Sequence, residues 1–297
     1  NQDQQSIAIG TKAGQCSQGS SSVAIGVQAG HVGQNAWSTA VGWACGEYRQ
    51  GEYASAYGFG AAQVDQGLRS TALGYGCGRY DQGAGSVAVG HDCGYSSQGV
   101  ECVAVGRAAG GEGQNNYSVA IGYQCGGFAQ GTQCVAIGYE AGRTGQNNQS
   151  VAMGHQSGRN AQAHQCVAIG FQAAINDQEF QSVAIGYTAG ANYQNNTAVA
   201  IGIAAGKDYQ GAGCTHVGFG SGEYQRTNLS TMSNGLGTGA CGFGMLSGQY
   251  TQNAYAVAIG SRAGERAQRY GAVSLGHRAG RNIQSSYSVA LGFRLNL

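Results

Sequence analysis

The chain repeats a sixteen-residue unit almost from end to end. Residues 134–149 read CVAIGYEAGRTGQNNQ, preceded by SVAIGYQCGGFAQGTQ and followed by SVAMGHQSGRNAQAHQ. With Ser6 as position 1, the unit restarts every sixteen residues as far as Cys214, and it resumes at Ala240 after ten extra residues, 230–239. Periodicity of this kind indicates a repeat architecture, in which each unit packs on its neighbours along the chain.

Four positions of the unit hardly vary. Position 1 is Ser, Cys or Ala, position 5 is Gly, position 9 is Gly except at Ala62 and Ala174, and position 13 is almost always Gln. The chain has 55 glycines and no proline, but it lacks the Gly-X-Y period of collagen. Because an ordered Gly costs about 0.5–1 kcal/mol relative to Ala, glycines fixed in this way predict turns that need them.

The unit length selects the fold class. Sixteen residues are too few for a strand, a helix and a return, but they suit two short strands and two turns. We therefore predict an all-β fold, a parallel β-solenoid of about eighteen coils with neighbouring coils about 4.8 Å apart. SVAIG at positions 1–5 is the better strand, and a second strand is expected at positions 9–13. The chain is predicted to be one domain, residues 1–297, in which residues 230–239 form an inserted loop or a protruding tip.

The SVAIG strand is apolar on both faces. Alternate side chains of a strand point to opposite sides, so Val and Ile lie on one face and Ser or Cys, Ala and Gly on the other. The second strand of the same coil can cover only one of these faces, and an uncovered column of Val and Ile is an aggregation hazard. The pattern predicts lateral self-association, and it leaves open which face is inside the coil.

The pattern SVAIGxxA resembles the YadA-like head repeat of the trimeric autotransporter adhesins, and related repeats occur in phage and viral fibres. The resemblance covers essentially the whole chain. It implies a left-handed parallel β-roll in which three chains pack side by side, located outside the cell, at the cell surface or in a virion fibre. The family unit is nearer fourteen residues and lacks the Gln column, so the coil here is expected to be wider or to turn differently.

The Gln column is the strongest single signal. Amides stacked at the spacing of one coil can hydrogen-bond along the solenoid as a ladder, which satisfies groups that are costly to bury unpaired. An exposed binding stripe is the alternative, and a break in the ladder is expected at Arg226, where the Gln is missing. The predicted ladder consists of Gln18, Gln34, Gln50, Gln66, Gln82, Gln98, Gln114, Gln130, Gln146, Gln162, Gln178, Gln194 and Gln210.

Position 6 is the best candidate for a surface role, because it is often aromatic. Aromatic side chains in register could stack as a rail that binds sugars or a partner protein, or they could pack along an interface or over the turn. The candidates are Trp43, Phe59, Tyr75, Tyr123, Tyr139, Phe171, Tyr187 and Phe219.

Most of the ten cysteines occupy positions 1 and 8, where Ser and Ala otherwise stand. This interchange indicates small buried side chains. Cys93 with Cys102 and Cys125 with Cys134 share a nine-residue offset, which makes each pair a possible disulfide.

The sequence contains no catalytic constellation, and no spacing of His, Cys and acids predicts a metal or cofactor site. The net charge is +1, so no overall field attracts nucleic acid, and no apolar run is long enough for a membrane span. We therefore expect a non-enzymatic fibre segment, a homotrimer that presents repeated side chains to a cell-surface receptor or glycan. The alternative is a subunit of a filament that polymerises end to end.

Overall fold

A computed structural model describes residues 3–224 and 237–293. These residues are all β, without a helix, and parallel strands stack as a β-solenoid whose turns are sixteen residues apart. The predicted fold class is confirmed. The chain divides into two compact units, residues 1–149 and 150–297. The prediction of a single domain remains a prediction.

The first unit has two strands in each coil. The first strand covers positions 2–4 and extends to position 6 in five coils. The first strands are Ile7–Ile9, Val23–Ile25, Thr39–Val41, Ser55–Tyr57, Thr71–Tyr75, Val87–His91, Val103–Arg107, Val119–Tyr123 and Val135–Tyr139. The second strands are Cys16–Gln18, Val32–Gln34, Tyr48–Gln50, Val64–Gln66, Tyr80–Gln82, Ser96–Gln98, Glu112–Gln114, Phe128–Gln130 and Thr144–Gln146. The second strand is therefore shorter than predicted and covers positions 11–13.

The second unit repeats this arrangement with fewer second strands. Its first strands are Val151–Met153, Val167–Ile169, Val183–Ile185, Val199–Ile201, Thr215–Val217, Cys241–Phe243, Val257–Ile259, Val273–Leu275 and Val289–Leu291. Its second strands are Asn160–Gln162, Asn176–Gln178, Asn192–Gln194, Ala267–Gln268 and Ile283–Gln284. Single parallel bridges at Asp208, Tyr224, Tyr250 and Gln252 take the place of the other second strands.

Successive coils of a unit pair in parallel and in register. Ala24 is opposite Ala40, and Gln34 is opposite Gln50, so each column of the sequence becomes a row of identical positions in space. Across the insertion, Val217 is opposite Phe243, and the register is kept. Strict register explains why a column repeats one residue type, since every member has the same neighbours.

The glycine at position 5 is required by a close approach of two backbones. Gly74 has φ +126°, and a Cβ built on it would overlap the carbonyl group of Gly90 in the next coil. A side chain here would meet both a disfavoured backbone conformation and a neighbouring peptide. The invariance of this column follows from these two constraints.

The interior of each unit holds small side chains and glutamine, with one histidine in the second unit. Within the described residues, every buried apolar residue is Ala or Cys, and the largest fully buried side chains are Gln and one His. Positions 1, 3, 8 and 13 point inward, as at Ser22, Ala24, Ala29 and Gln34. The small face of the first strand is therefore inside the coil, and the face carrying Val and Ile is outside.

The last residues of the predicted insertion occupy regular turn positions. Ala240 donates a backbone hydrogen bond to Gly237, and Gly239 donates one to Ala212, as positions 1 and 16 do in regular coils. Residues 237–239 are thus ordinary positions 14–16, and the extra residues fall within 225–236. Arg226 and most of the predicted insertion lie outside the described residues.

Candidate functional site

The side chains at positions 2 and 4 form the outer face of each unit, and those at position 6 lie along its edge. Position 2 is half-buried by its neighbours along the column, while Ile121 at position 4 is 37% exposed and Tyr139 at position 6 is 45% exposed. No residue at position 2 or position 4 of any unit is charged. The outer face is therefore a flat apolar strip that the chain's own coil does not cover.

In the first unit, the aromatic residues of position 6 stack as predicted from their register. Trp43 and Phe59 have ring centroids 4.6 Å apart, Phe59 and Tyr75 are 5.1 Å apart, and the stack ends at His91. Tyr123 and Tyr139 form a second stack, with centroids 5.0 Å apart. We call these stacked side chains the aromatic rail.

Arg107 separates the two stacks of the first unit. Its guanidinium carbon lies 5.7 Å from the centroid of the Tyr123 ring, a cation–π contact that continues the column without an aromatic ring.

The rail of the second unit is shorter. His155, Phe171 and Tyr187 stack with centroids 4.9 and 5.0 Å apart. Phe219 is 53% exposed, and the column places it between Ile203 and Met245 rather than between aromatic rings. Phe219 is therefore the one residue of the eight predicted for the rail whose two neighbours in the column are both aliphatic.

A further set of stacked aromatic residues was not predicted. Trp37 and Tyr53 stack with centroids 5.0 Å apart, and Tyr193 and Tyr209 stack at 4.9 Å. All four have positive φ, at position 16 in a turn and at position 12 in the middle of the second strand, and an aromatic residue is unusual in this backbone conformation. The signal in the sequence was the pairing of aromatic residues sixteen apart within columns that are otherwise mixed.

The predicted Gln ladder lies inside the coil. All thirteen glutamines are buried, and the Nε2 atom of each donates a hydrogen bond to the carbonyl at position 2 of its own coil, as from Gln50 to Thr39 at 2.8 Å. In the first unit, amide–amide bonds join the side chains in runs, such as Gln50 to Gln66 at 3.0 Å and Gln66 to Gln82 at 3.2 Å. In the second unit, they connect Gln162, Gln178, Gln194 and Gln210 without a gap. The column is structural, because its amides are not exposed.

The ladder does not break beside the insertion, contrary to the expectation from Arg226. Nε2 of Gln210 lies 3.1 Å from Nδ1 of His216, and Nε2 of His216 lies 3.1 Å from Oε1 of Gln252. His216 stands at position 3, where Ala is usual, and the glycine opposite it, Gly242, leaves room for the ring. An imidazole therefore replaces the missing amide and continues the ladder.

The ten cysteines are free thiols in the structure, and neither predicted disulfide is formed. Cys102 and Cys134 donate hydrogen bonds to the carbonyls of Asn115 and Asn147, at 3.0 and 2.9 Å. Sγ of Cys93 contacts Sγ of Cys77 instead of Cys102. Burial raises the pKa of the Cys125 thiol, as it does for most of the buried cysteines.

A groove interrupts the regular surface of the first unit. It has a volume of about 330 Å³ and lies where two consecutive coils have Gly at position 10, Gly111 and Gly127. Neither glycine has a positive φ, and an added Cβ at Gly111 would have its nearest neighbours at 3.4 Å, so the backbone does not require them. The groove is lined by aromatic and polar side chains, including Tyr75, Arg79, Asp92, Tyr95, Glu112, Gln124 and Phe128.

Within residues 3–224 and 237–293, no group of three or more His, Cys, Asp or Glu side chains could hold a metal ion. The same residues include no helix of the length and apolarity needed to cross a membrane.

Comparisons with known proteins give no family for the chain. No protein-family model matches it, and no curated protein matches it in sequence. The resemblance to the heads of trimeric autotransporter adhesins therefore remains a prediction from the repeat pattern.

Proposed function

We propose that the chain is a non-enzymatic segment of an extracellular fibre, in which three copies associate through their outer faces. In this assignment each coil is a spacer element, and the assembled solenoid presents repeated side chains to a cell-surface glycan or receptor. The protein then acts as a spacer and as a binding surface for the receptor or glycan.

The outer face is the observation that supports this proposal. The interior is filled by Ala, Cys and Gln, so the Val and Ile columns have no place inside their own coil. Burying one such side chain fully is worth about 1.5–3 kcal/mol, and repetition along a unit multiplies this gain. A charge-free strip of this kind favours a partner with the same strip, which a second copy of the chain supplies.

The aromatic rail and the groove support the adhesive part of the proposal. Stacked rings at the edge of the strip offer flat apolar surfaces with polar tips, which suit the apolar faces and hydroxyl groups of sugars. The groove adds Asp92, Glu112 and Gln124 as hydrogen-bonding partners beside the aromatic rings of Tyr95 and Phe128. Both features lie outside the coil interior, where a ligand can reach them.

Charge on the outer face tests the self-association. We expect the double variant Ile121→Lys, Ile137→Lys to shift the assembly to monomer, because both side chains point outward and a buried lysine pair is costly. Gln133→Lys is the matched control, since its exposed side chain lies at a turn of the same coils. A double variant that keeps its circular dichroism and its assembled mass would contradict the proposal.

Binding to a glycan array tests the adhesive part. Tyr123→Ser with Tyr139→Ser is expected to weaken binding without changing the assembled mass, and unchanged binding would remove the rail from the proposal. Negative-stain images of the wild type address the alternative function, a filament subunit. Discrete particles of uniform length support the fibre segment, and end-to-end polymers of indefinite length support the filament.

A further inference from the structure

We infer that Cys77 and Cys93 form a thiol–disulfide site that can cross-link two successive coils of the first unit. Their Sγ atoms are 2.6 Å apart, which is closer than ordinary van der Waals contact between two sulfurs. Both side chains are fully buried and both thiols are free in the structure. The inference is independent of the proposed function.

The two residues are neighbours in one column of the interior. Both stand at position 8, sixteen residues apart, and the coils on either side have Ala61 and Ala109 there. Cys45 and Cys125 occupy the same column, but each has Ala as its neighbour in both adjacent coils. Cys77 and Cys93 are thus the one place in this column where two cysteines adjoin.

The geometry of the stack suits a bond between them. Coils in parallel register are about 4.8 Å apart, within the range of about 4.4–6.8 Å between Cα atoms that a disulfide requires. Side chains of one column point in the same direction, so the two sulfurs meet without a change of backbone path. The pair predicted from sequence, Cys93 with Cys102, lacks this relationship because its members belong to different columns.

The thiols are also chemically paired. Cys93 donates a hydrogen bond to Sγ of Cys77, and this bond lowers the pKa of the Cys77 thiol, which favours its thiolate. The thiolate is the nucleophile in exchange with an external disulfide. The Cys45 thiol, which has no such partner, has its pKa raised by burial to about 12.

With oxidised glutathione as the oxidant, the exchange balances in two steps. Cys77 Sγ attacks one glutathione sulfur, a mixed disulfide forms, and the first glutathione leaves as a thiolate. That thiolate takes the proton of Cys93, whose sulfur then attacks Cys77 Sγ and expels the second glutathione as a thiolate, which takes up the proton that Cys77 had released to water. Two protein thiols are oxidised and one glutathione disulfide is reduced to two thiols. Because both sulfurs are buried in the folded unit, we expect the exchange to occur during folding, when the two thiols have met but glutathione can still reach them.

Refolding of the full chain tests the inference. The chain is unfolded in urea, refolded with oxidised and reduced glutathione, quenched with acid, freed of glutathione, and assayed for free thiols after denaturation. The expected result is a fall from ten free thiols to eight, with a mass lower by two hydrogen atoms. Tryptic digestion without reduction should then join peptide 70–79, which contains Cys77, to peptide 80–107, which contains Cys93 and Cys102.

Variants identify the partner. Cys77→Ala and Cys93→Ala should each keep their nine remaining thiols, and both should fold because Ala is common in this column. Cys45→Ala and Cys102→Ser are the controls, and each should fall from nine thiols to seven with the two peptides still joined. Two outcomes would overturn the inference, provided that circular dichroism shows the β fold: a wild type that keeps ten thiols, or a Cys77→Ala variant that loses two.

Discussion

Nε2 of His216 lies 3.1 Å from Oε1 of Gln252, although the two residues are 36 positions apart in sequence. Because Gln210 approaches the other ring nitrogen at 3.1 Å, the neutral imidazole donates to one amide and accepts from the other. This arrangement requires the tautomer that carries its proton on Nε2. The ring is a rung of the Gln ladder, and it serves in this way only while it is uncharged.

Acid should therefore weaken the fold through His216. Burial lowers the pKa of His216 from an ordinary value of 6.5 to about 4, because the charged ring is cut off from water. Between these two values the unfolded chain binds a proton that the folded chain excludes, so the free energy of unfolding falls as the pH falls. The contribution of neutral His216 to the free energy of unfolding is fully present above pH 6.5. About 3 kcal/mol of it is lost by the time the pH has fallen through 4.

Urea unfolding at several pH values measures this effect. The variant His216→Gln separates the pH dependence due to His216 from the pH dependence due to the carboxylates. The variant keeps an uncharged amide at the rung, so its free energy of unfolding should depend less on pH between 6.5 and 4 than that of the wild type. Equal pH dependence in the two proteins would show that His216 does not titrate in this way.

Removal of a rung should destabilise the second unit. Gln178 donates to the carbonyls of Val167 and Ser182 and to Oε1 of Gln194, at 3.0, 3.0 and 3.2 Å. Gln178→Ala leaves these acceptors buried without that donor and opens a cavity, which should cost about 2–4 kcal/mol in the free energy of unfolding.

Gln181→Ala is the control for the ladder variant. Its amide is exposed and bonds to the side chain of Gln165, and we expect a change within about 0.5 kcal/mol. If the two variants unfold at the same urea concentration, the ladder is not a major source of stability.

The close approach of coils at position 5 gives a prediction for the first unit. Gly74→Ala should lower the free energy of unfolding by about 2–5 kcal/mol, since the added methyl group meets the Gly90 carbonyl and the backbone φ is +126°. Gly111→Ala has room for its methyl group and should change stability by less than about 1 kcal/mol. Thermal unfolding followed by circular dichroism compares the two, and a mild effect at Gly74 would mean that the coils can separate at little cost.

Much of the fold could be predicted, because a strict period fixes the columns. The coil length, the parallel register, the buried Gln column and the stacking of Trp43 on Phe59 all follow from residues sixteen apart having the same surroundings. The identity of the inner face could not be predicted, because both faces of SVAIG are apolar. In the structure, the inner face is the one with the smaller side chains. Ala24 is fully buried between the two strands of its coil, and Ile25 lies on the outer face.

The errors concern departures from the period. His216 is a rung outside position 13, and its signal in the sequence is a lone His in a column of alanines, with Gly242 opposite it in the next coil. The disulfide pairs were chosen by a shared offset in sequence, whereas contact in a solenoid depends on a shared column, as at Cys77 and Cys93. The sequence pattern does not distinguish Gly237 and Gly239, which are regular turn positions, from the residues of the insertion.

The mass of the purified chain in solution tests the central claim, that the outer face is covered by copies of the same chain. Sedimentation equilibrium should give about three times the 30.2 kDa of one chain, with the mass reduced to one chain by Ile121→Lys and Ile137→Lys. A wild-type chain that has the β signature in circular dichroism and remains at 30.2 kDa at high concentration would contradict the account.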